Sequence, residues 1–401
     1  MSTGRLTSND RTVVERARDA TSLAQVERWA GVNSGTGNLV GLATMAELLG
    51  EAFAILPGDL RLIDPDPVEQ VGADGILRMR EHGRHLHLTV RPHAPVQMVF
   101  TGHMDTVYPA DHPFQACTHI VDGRLGGPGV ADMKGGLAVM LAALRAIEQS
   151  AQASRLGYEI VVNSDEETGS LSSASLLASA ARGKVAALTY EPALADGTLA
   201  GARGGTGNFS ILVRGRSAHA GRNPEDGRNA IVAAADVALR LSKAGGPGLS
   251  VNPARIDGGG PNNVVPDMAV LRVNFRPGTP SDVDRARAHL DAAVAMVAAE
   301  HQVAITVHGS FNRPPKPIDP GAQRLFERVR AAGTDLGIPI GWSATGGVCD
   351  GNNIAAAGVP VIDTMGVRGG AIHSVDEFMI PESLAERAAL SALTILRLAT
   401  A

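Results

Sequence analysis

Short apolar runs that end abruptly in polar residues alternate with longer helical stretches through the first half of the chain. Residues 12–29 mix apolar and charged positions at a spacing that predicts one amphipathic helix, and 39–49 resume that pattern beyond Gly35-Thr36-Gly37. Strands are expected at 60–63, 76–80, 85–91 and 96–101. The strongly apolar stretch 137–147, entered through Gly135-Gly136, predicts a helix. Beyond it, 158–163 and 185–190 predict strands that run straight into S-D-E-E-T-G-S and E-P. Strands alternating with helices, each strand carrying its polar load at the end, form the pattern of an open α/β sheet. Ligands of such sheets gather outside the carboxyl ends of the strands.

Residues 195–207 are glycine-rich and read as a linker. Beyond them the pattern predicts a strand at 208–214, a helix at 227–243, strands at 254–257 and 268–275, a helix at 281–300 and a strand at 303–308. That is the ferredoxin-like order. Pro314, Pro315, Pro317 and Pro320 mark a second linker, followed by a helix at 323–332, an apolar run at 359–363, a glycine-rich loop and a final helix. The expected fold class is therefore α/β. A mostly parallel-sheet domain with helices on both faces, 1–202 and 312–401, carries an inserted ferredoxin-like α+β domain, 203–311.

Composition narrows the function. A chain of 401 residues exceeds one ordinary core, in line with two domains. Its 44% hydrophobic and 19% charged content is that of a globular protein, and a net charge of −5 argues against nucleic acid or an anionic membrane as the partner. Cys117 and Cys349 are too few for a disulfide framework, which suits a reducing compartment. The N-terminus lacks an apolar signal core and no run approaches a membrane span, so cytoplasmic is the expected location.

The chemistry concentrates at the predicted strand ends. His103 and Asp105, two apart on an extended segment, share one side of the chain, and a metal-binding histidine usually has a carboxylate beside it. Asp132, Glu166, Glu167 and Glu191 would converge on the same sheet edge, where like charges resist joint ionisation. Either several are protonated or a cation sits among them. Zinc accepts such nitrogen and oxygen ligands, and two ions about 3.5–4 Å apart form a hydrolytic clamp. Their four positive charges against three ligand carboxylates leave one to hold hydroxide, which favours a dinuclear site. His82, His85, His87 and His93 read as a solvated strand face rather than another site, Lys134 as a solvated helix-start residue, and Cys349 as a small buried thiol.

Six motifs carry a resemblance: G-H-M-D-T-V-Y-P, G-V-A-D-M-K-G-G, S-D-E-E-T-G-S, Y-E-P, G-R-S-A-H-A-G and A-I-H-S. In order, and over nearly the whole chain, they resemble the zinc-dependent aminoacylase and carboxypeptidase family. That family includes acetylornithine deacetylase, succinyl-diaminopimelate desuccinylase and bacterial glutamate carboxypeptidase, and the spacing is most similar to the last. The resemblance implies two zinc ions per subunit, with cobalt or manganese able to take their place. His103 and Glu191 would hold one ion, Glu167 and His373 the other, and Asp132 would bridge them. Asp105 would orient His103, and Glu166 would be the general base toward a metal-bridging hydroxide.

By the same resemblance, the inserted domain is a lid through which the chain forms a homodimer. His219 would then reach the partner subunit's site and steady the oxyanion. Asn263 matches a polar lid residue near the substrate, and Arg276 an arginine that grips a substrate carboxylate, unless Asp267 pairs with it. Gly346 and Gly347 would line the substrate pocket, in a loop, G-G-V-C-D-G-N, that departs from the family's commoner form. The expected activity is a metallohydrolase that frees an amino acid bearing a free carboxylate from a small N-acyl amino acid or short peptide. A deacylase of the acetylornithine or desuccinylase kind and a dipeptidase are rivals within that chemistry. A non-catalytic binding protein is the rival outside it, disfavoured because Glu166, Glu167, His103 and Asp132 are all present.

Overall fold

The computed structural model describes residues 6–120 and 122–400; the first five residues of the polar N-terminal stretch lie outside it. The expected single helix over 12–29 is two, Ser8–Asp19 and Leu23–Ala30. Capping makes the break: the Ser22 side chain accepts the Gln25 N–H and starts a second helix. Six strands form the main sheet, in the order Asp59–Ile63, His85–Val90, Leu156–Asn163, Val96–His103, Ala186–Thr189, Val361–Ile362. The first three are antiparallel neighbours, and the rest join in parallel, so the parallel half is the half whose strand ends carry the acids.

Strand alternation assigns the two faces. Met98, Phe100, Tyr158 and Ile160 pack on one side with helices Leu39–Phe53, Gly135–Glu148 and Ser383–Thr400. Val99, Val161 and Ala187 pack on the other with Ala174–Ala181 and Asp350–Ala356. Helix Gly135–Glu148 is buried almost all round, as its apolar sequence demands. Its first turn sits so close to the strand ends that a Cβ on Gly136 would lie 1.9 Å from the Tyr190 carbonyl oxygen.

The stretch expected to be a linker at 195–207 is structured. Leu199–Arg203 pairs in parallel with Trp342–Thr345, and the next strand already begins at Thr206. From there a separate antiparallel sheet runs in the order Leu249–Gly258, Met268–Pro277, Thr206–Arg214, Ala304–Arg313. Helices Ala230–Ser242 and Pro280–His301 cover one face over a core that includes Phe209, Val237, Leu271 and Phe275. The opposite face meets a hairpin, Val68–Val71 with Leu77–Arg80, only half of which the pattern predicted. Val71 packs there on Leu212 and Val270, and Arg272 Nη2 donates to the Val71 carbonyl at 2.7 Å.

Two bland expectations are corrected. His85 is buried, not solvated, because the segment after Leu156–Asn163 folds over it: its Nδ1 accepts the Ser164 N–H at 3.3 Å and its Nε2 lies 3.3 Å from the Ser172 carbonyl oxygen. Lys134 is fully buried, its Nζ donates to the Val32 carbonyl at 2.9 Å, and burial pulls its pKa down to about 8. Both cysteines are free, and among the described residues no helix is long and apolar enough to cross a membrane.

Candidate metal centre

Three of the candidate ligands hang from the carboxyl edge of the parallel half-sheet, and two reach it from loops. His103 is the last residue of its strand, Glu166 and Glu167 follow Leu156–Asn163, and Glu191 lies just past Ala186–Thr189. Asp132 enters from the loop before helix Gly135–Glu148, and His373 from the glycine-rich loop near the C-terminal end. Asp132 stands between two imidazoles. Its Oδ1 is 3.1 Å from His103 Nε2, and its Oδ2 is 3.2 Å from His373 Nε2. Glu191 Oε2 lies 3.8 Å from His103 Nε2, and Glu167 Oε2 lies 3.2 Å from His373 Nε2. Two trios result, His103–Asp132–Glu191 and Asp132–Glu167–His373, and within each the donor atoms fall within 4.8 Å of one another. One nitrogen and two carboxylate oxygens per trio, with a shared aspartate, is a donor set that fits a pair of divalent cations.

The surroundings aim these groups. His103 Nδ1 is 3.0 Å from the Asp105 carbonyl oxygen, which leaves Nε2 facing Asp132 and Glu191. The Asp105 carboxylate is farther from that nitrogen, at 3.4 Å. It accepts the Glu166 and Glu167 N–H groups at 3.2 Å and the Thr36 hydroxyl at 2.6 Å, so it also shapes the turn that carries both glutamates. Glu377, which sequence reasoning missed, accepts the N–H groups of Gly129, Ala131 and Asp132 and so holds the Asp132 loop.

Bare, the cluster is electrostatically frustrated. Burial, then the charge of Asp132, pushes Glu191 up to about 7 and also raises Glu167. Burial raises Glu166 well above the ordinary carboxylate range despite the Arg313 charge. For His103 burial acts downward, but Asp105, Asp132 and Glu191 outweigh it and hold the imidazolium well above its usual value. Hydrogen bonds to Asp132 and Glu167 lift His373 to about 11. Carboxylates crowded together in this way favour positive charge among them.

A cavity of about 650 Å³ opens onto the cluster. Arg203, Arg276 and Arg313 face it, as do Gly346 and Gly347. Arg276 is exposed, and its Nε donates to the neutral Asn274 side chain at 2.9 Å; Asp267 instead takes the Ser217 hydroxyl. His219 and Asn263 are exposed neighbours, joined by the Ala220 N–H on the Asn263 carbonyl at 2.9 Å, and they do not line this cavity. Sequence reasoning named neither Arg203, Arg313 nor Asp350, although Arg203 lies in the stretch read as the first linker, Arg313 directly precedes the prolines of the second, and Asp350 lies in the loop G-G-V-C-D-G-N. The only signal for Glu377 was its place four residues after His373.

Known proteins resemble this chain in sequence and in fold. The description "Peptidase family M20/M25/M40" matches residues 99–397. Carboxypeptidase G2 of Pseudomonas sp. (strain RS-16) is 31% identical over 300 residues, covering 72% of this chain and 71% of its own. Succinyl-diaminopimelate desuccinylase of Verminephrobacter eiseniae (strain EF01-2) is 28% identical over 305 residues, covering 71% and 74%. Among solved structures, a tripeptidase from Staphylococcus aureus subsp. aureus mu50 superposes with a TM-score of 0.73 at 24% identity, over 99% of this chain and 100% of that one.

Proposed function

The chain belongs to peptidase family M20/M25/M40 and is a metal-dependent hydrolase of the peptidase and deacylase kind; on that premise we propose that it cleaves the amide linking an acyl or peptidyl group to an amino acid with a free carboxylate. The observation that carries this reading is the pair of ligand trios sharing Asp132, with Glu166 beside them and in neither trio. His103, Asp132 and Glu191 would hold one divalent ion, and Asp132, Glu167 and His373 a second. Ions bound there would supply Lewis acidity and an acidified water. Glu166 takes the proton of the attacking water and returns it to the leaving nitrogen, a transfer its own carboxylate can make because neither trio enlists it.

Arg276 receives the substrate carboxylate. It is exposed at the cavity, its partner Asn274 is neutral, and a guanidinium offers two parallel donors to two oxygens. The relative named carboxypeptidase G2 supports a carboxypeptidase of the glutamate-releasing kind, and the one named a desuccinylase supports an N-acyl amino acid deacylase. His219 lies outside the cavity of its own chain, which supports a homodimer in which it serves the cavity of a second copy. The two unpaired cysteines support residence in the cytoplasm.

The test is metal removal. Protein stripped with a chelator should lose hydrolysis of N-benzoyl-L-glutamate, N-acetyl-L-ornithine and glycyl-L-glutamate, and added zinc should restore it, with metal content measured on the same sample. Hydrolysis indifferent to the metal ends the proposal, and the ranking of the three substrates separates carboxypeptidase, deacylase and dipeptidase.

A further inference from the structure

Glu166 sits in a three-residue turn, Glu166–Thr168, that offers its carboxylate no local anchor. The anchor comes from far along the chain. Arg313 ends strand Ala304–Arg313 of the second sheet, paired there with Thr206, and is 5% exposed. Its Nη2 lies 2.7 Å from Glu166 Oε1, 2.8 Å from the Glu166 carbonyl oxygen and 2.8 Å from Ser170 Oγ. Asp350 backs the guanidinium at 3.5 Å and is itself held by the Asn163 amide at 2.8 Å and the Ser170 hydroxyl. Among the described residues no other side chain bonds to the Glu166 carboxylate.

We propose that Arg313 is the positioning residue for Glu166, an inference that rests on Glu166 being the proton-transferring group. One guanidinium grips both ends of a flexible glutamate, its backbone carbonyl and one carboxylate oxygen, and leaves the second oxygen to face the water. Its two directed bonds, to the Glu166 carbonyl and Ser170 Oγ, fix the guanidinium, and the ion pair then holds the carboxylate beside it by charge; a base held within reach of its proton transfers it far more effectively than one that wanders. Asp350 and Ser170 keep the guanidinium from swinging toward a substrate anion. The last strand of the second sheet, rather than the turn that bears it, thereby sets the base.

The rival role is substrate anchoring, because Arg313 lines the cavity and its Nε has no partner among the described residues. A double-mutant cycle on the fastest of the three substrates above separates the two. Arg313→Met should lower kcat by about 10–100-fold, with KM and metal content nearly unchanged, and Arg313→Lys should recover part of the loss. Combined with Glu166→Ala, Arg313→Met should change kcat by less than about 2-fold, since a residue that acts through another loses its effect when that other is gone. A raised KM at unchanged kcat, or losses that multiply in the double variant, overturns the proposal. Where melting shows that Arg313→Met does not fold, Asp350→Asn, which loosens the guanidinium from behind, must give the same kcat-selective loss or the proposal falls. Full turnover by Glu166→Ala alone removes the base reading itself, and this inference with it.

Discussion

Glu377 accepts the backbone N–H of Asp132 at 3.0 Å from a position 245 residues further along the chain. The same oxygen accepts from Ala131, while the other takes Gly129 N–H and the Tyr108 hydroxyl at 2.9 Å, so four donors converge on one buried carboxylate. Asp132 offers an oxygen to each ligand trio, and the loop that aims it is therefore held from outside. Partners of this type set metal affinity. Glu377→Gln puts an NH2 group against those donors and should weaken metal binding by about 10–100-fold in a chelator competition. Unchanged affinity would mean that the loop holds its own shape.

The shared position of Asp132 predicts unequal effects on metal content. Removing His373 strips one trio of its nitrogen, whereas removing Asp132 strips both trios of an oxygen. His373→Ala should keep about half of the wild-type metal after dialysis, and Asp132→Ala close to none. Equal retention by the two variants, read by elemental analysis, would count against a bridging role for Asp132.

Three of the five candidate ligands were legible because they lie where an apolar run stops: His103 after 96–101, Glu167 after 158–163, Glu191 after 185–190; Asp132 and His373 sit in loops and were named through the motif resemblance. A strand that ends at a ligand announces itself locally. The groups that steady those ligands do not. Arg313 meets Glu166 across 147 residues and Glu377 meets Asp132 across 245, and nothing local foretells either contact. The same holds for His85, which is covered by Ser164 and Ser172, 79 and 87 residues further along the chain. Composition also misled at 195–207, read as a linker: Leu199–Arg203 is a strand, and Gly205 and Gly207 sit where a Cβ would lie 2.7 Å from Pro315 and 2.5 Å from Phe311.

Asp363 is fully buried between two cations. Arg203 grips it through Nε at 2.8 Å and Nη2 at 3.1 Å, and Lys316 Nζ stands 2.8 Å away. Removing one member of a buried pair leaves uncompensated charge, and here two would be left. Asp363→Ala should lower unfolding free energy by about 3–5 kcal/mol in denaturant titration. A loss below about 1 kcal/mol, the level of a surface pair, would show that water reaches these groups.

Glu159 gives the stability a defined dependence on pH. It is partly buried in strand Leu156–Asn163, with His87 Nε2 and Lys184 Nζ each at 2.8 Å. Burial works to raise its pKa, but the bonds from His87 and Lys184 outweigh burial and leave it below the ordinary glutamate value. The folded state therefore releases this proton more readily than the unfolded chain, whose glutamates titrate at about 4.3. The stabilisation is complete above that pH and is lost as pH falls through the lower folded value. Glu159→Gln keeps the shape and removes the charge. Wild type should melt above the variant at about pH 5.5, where Lys184 and His87 both pair with the carboxylate, and the margin should close below about pH 4.3. Melting curves of both proteins between pH 3 and 8 decide it, since a margin that persists into acid would mean that Glu159 contributes by packing rather than by its charge.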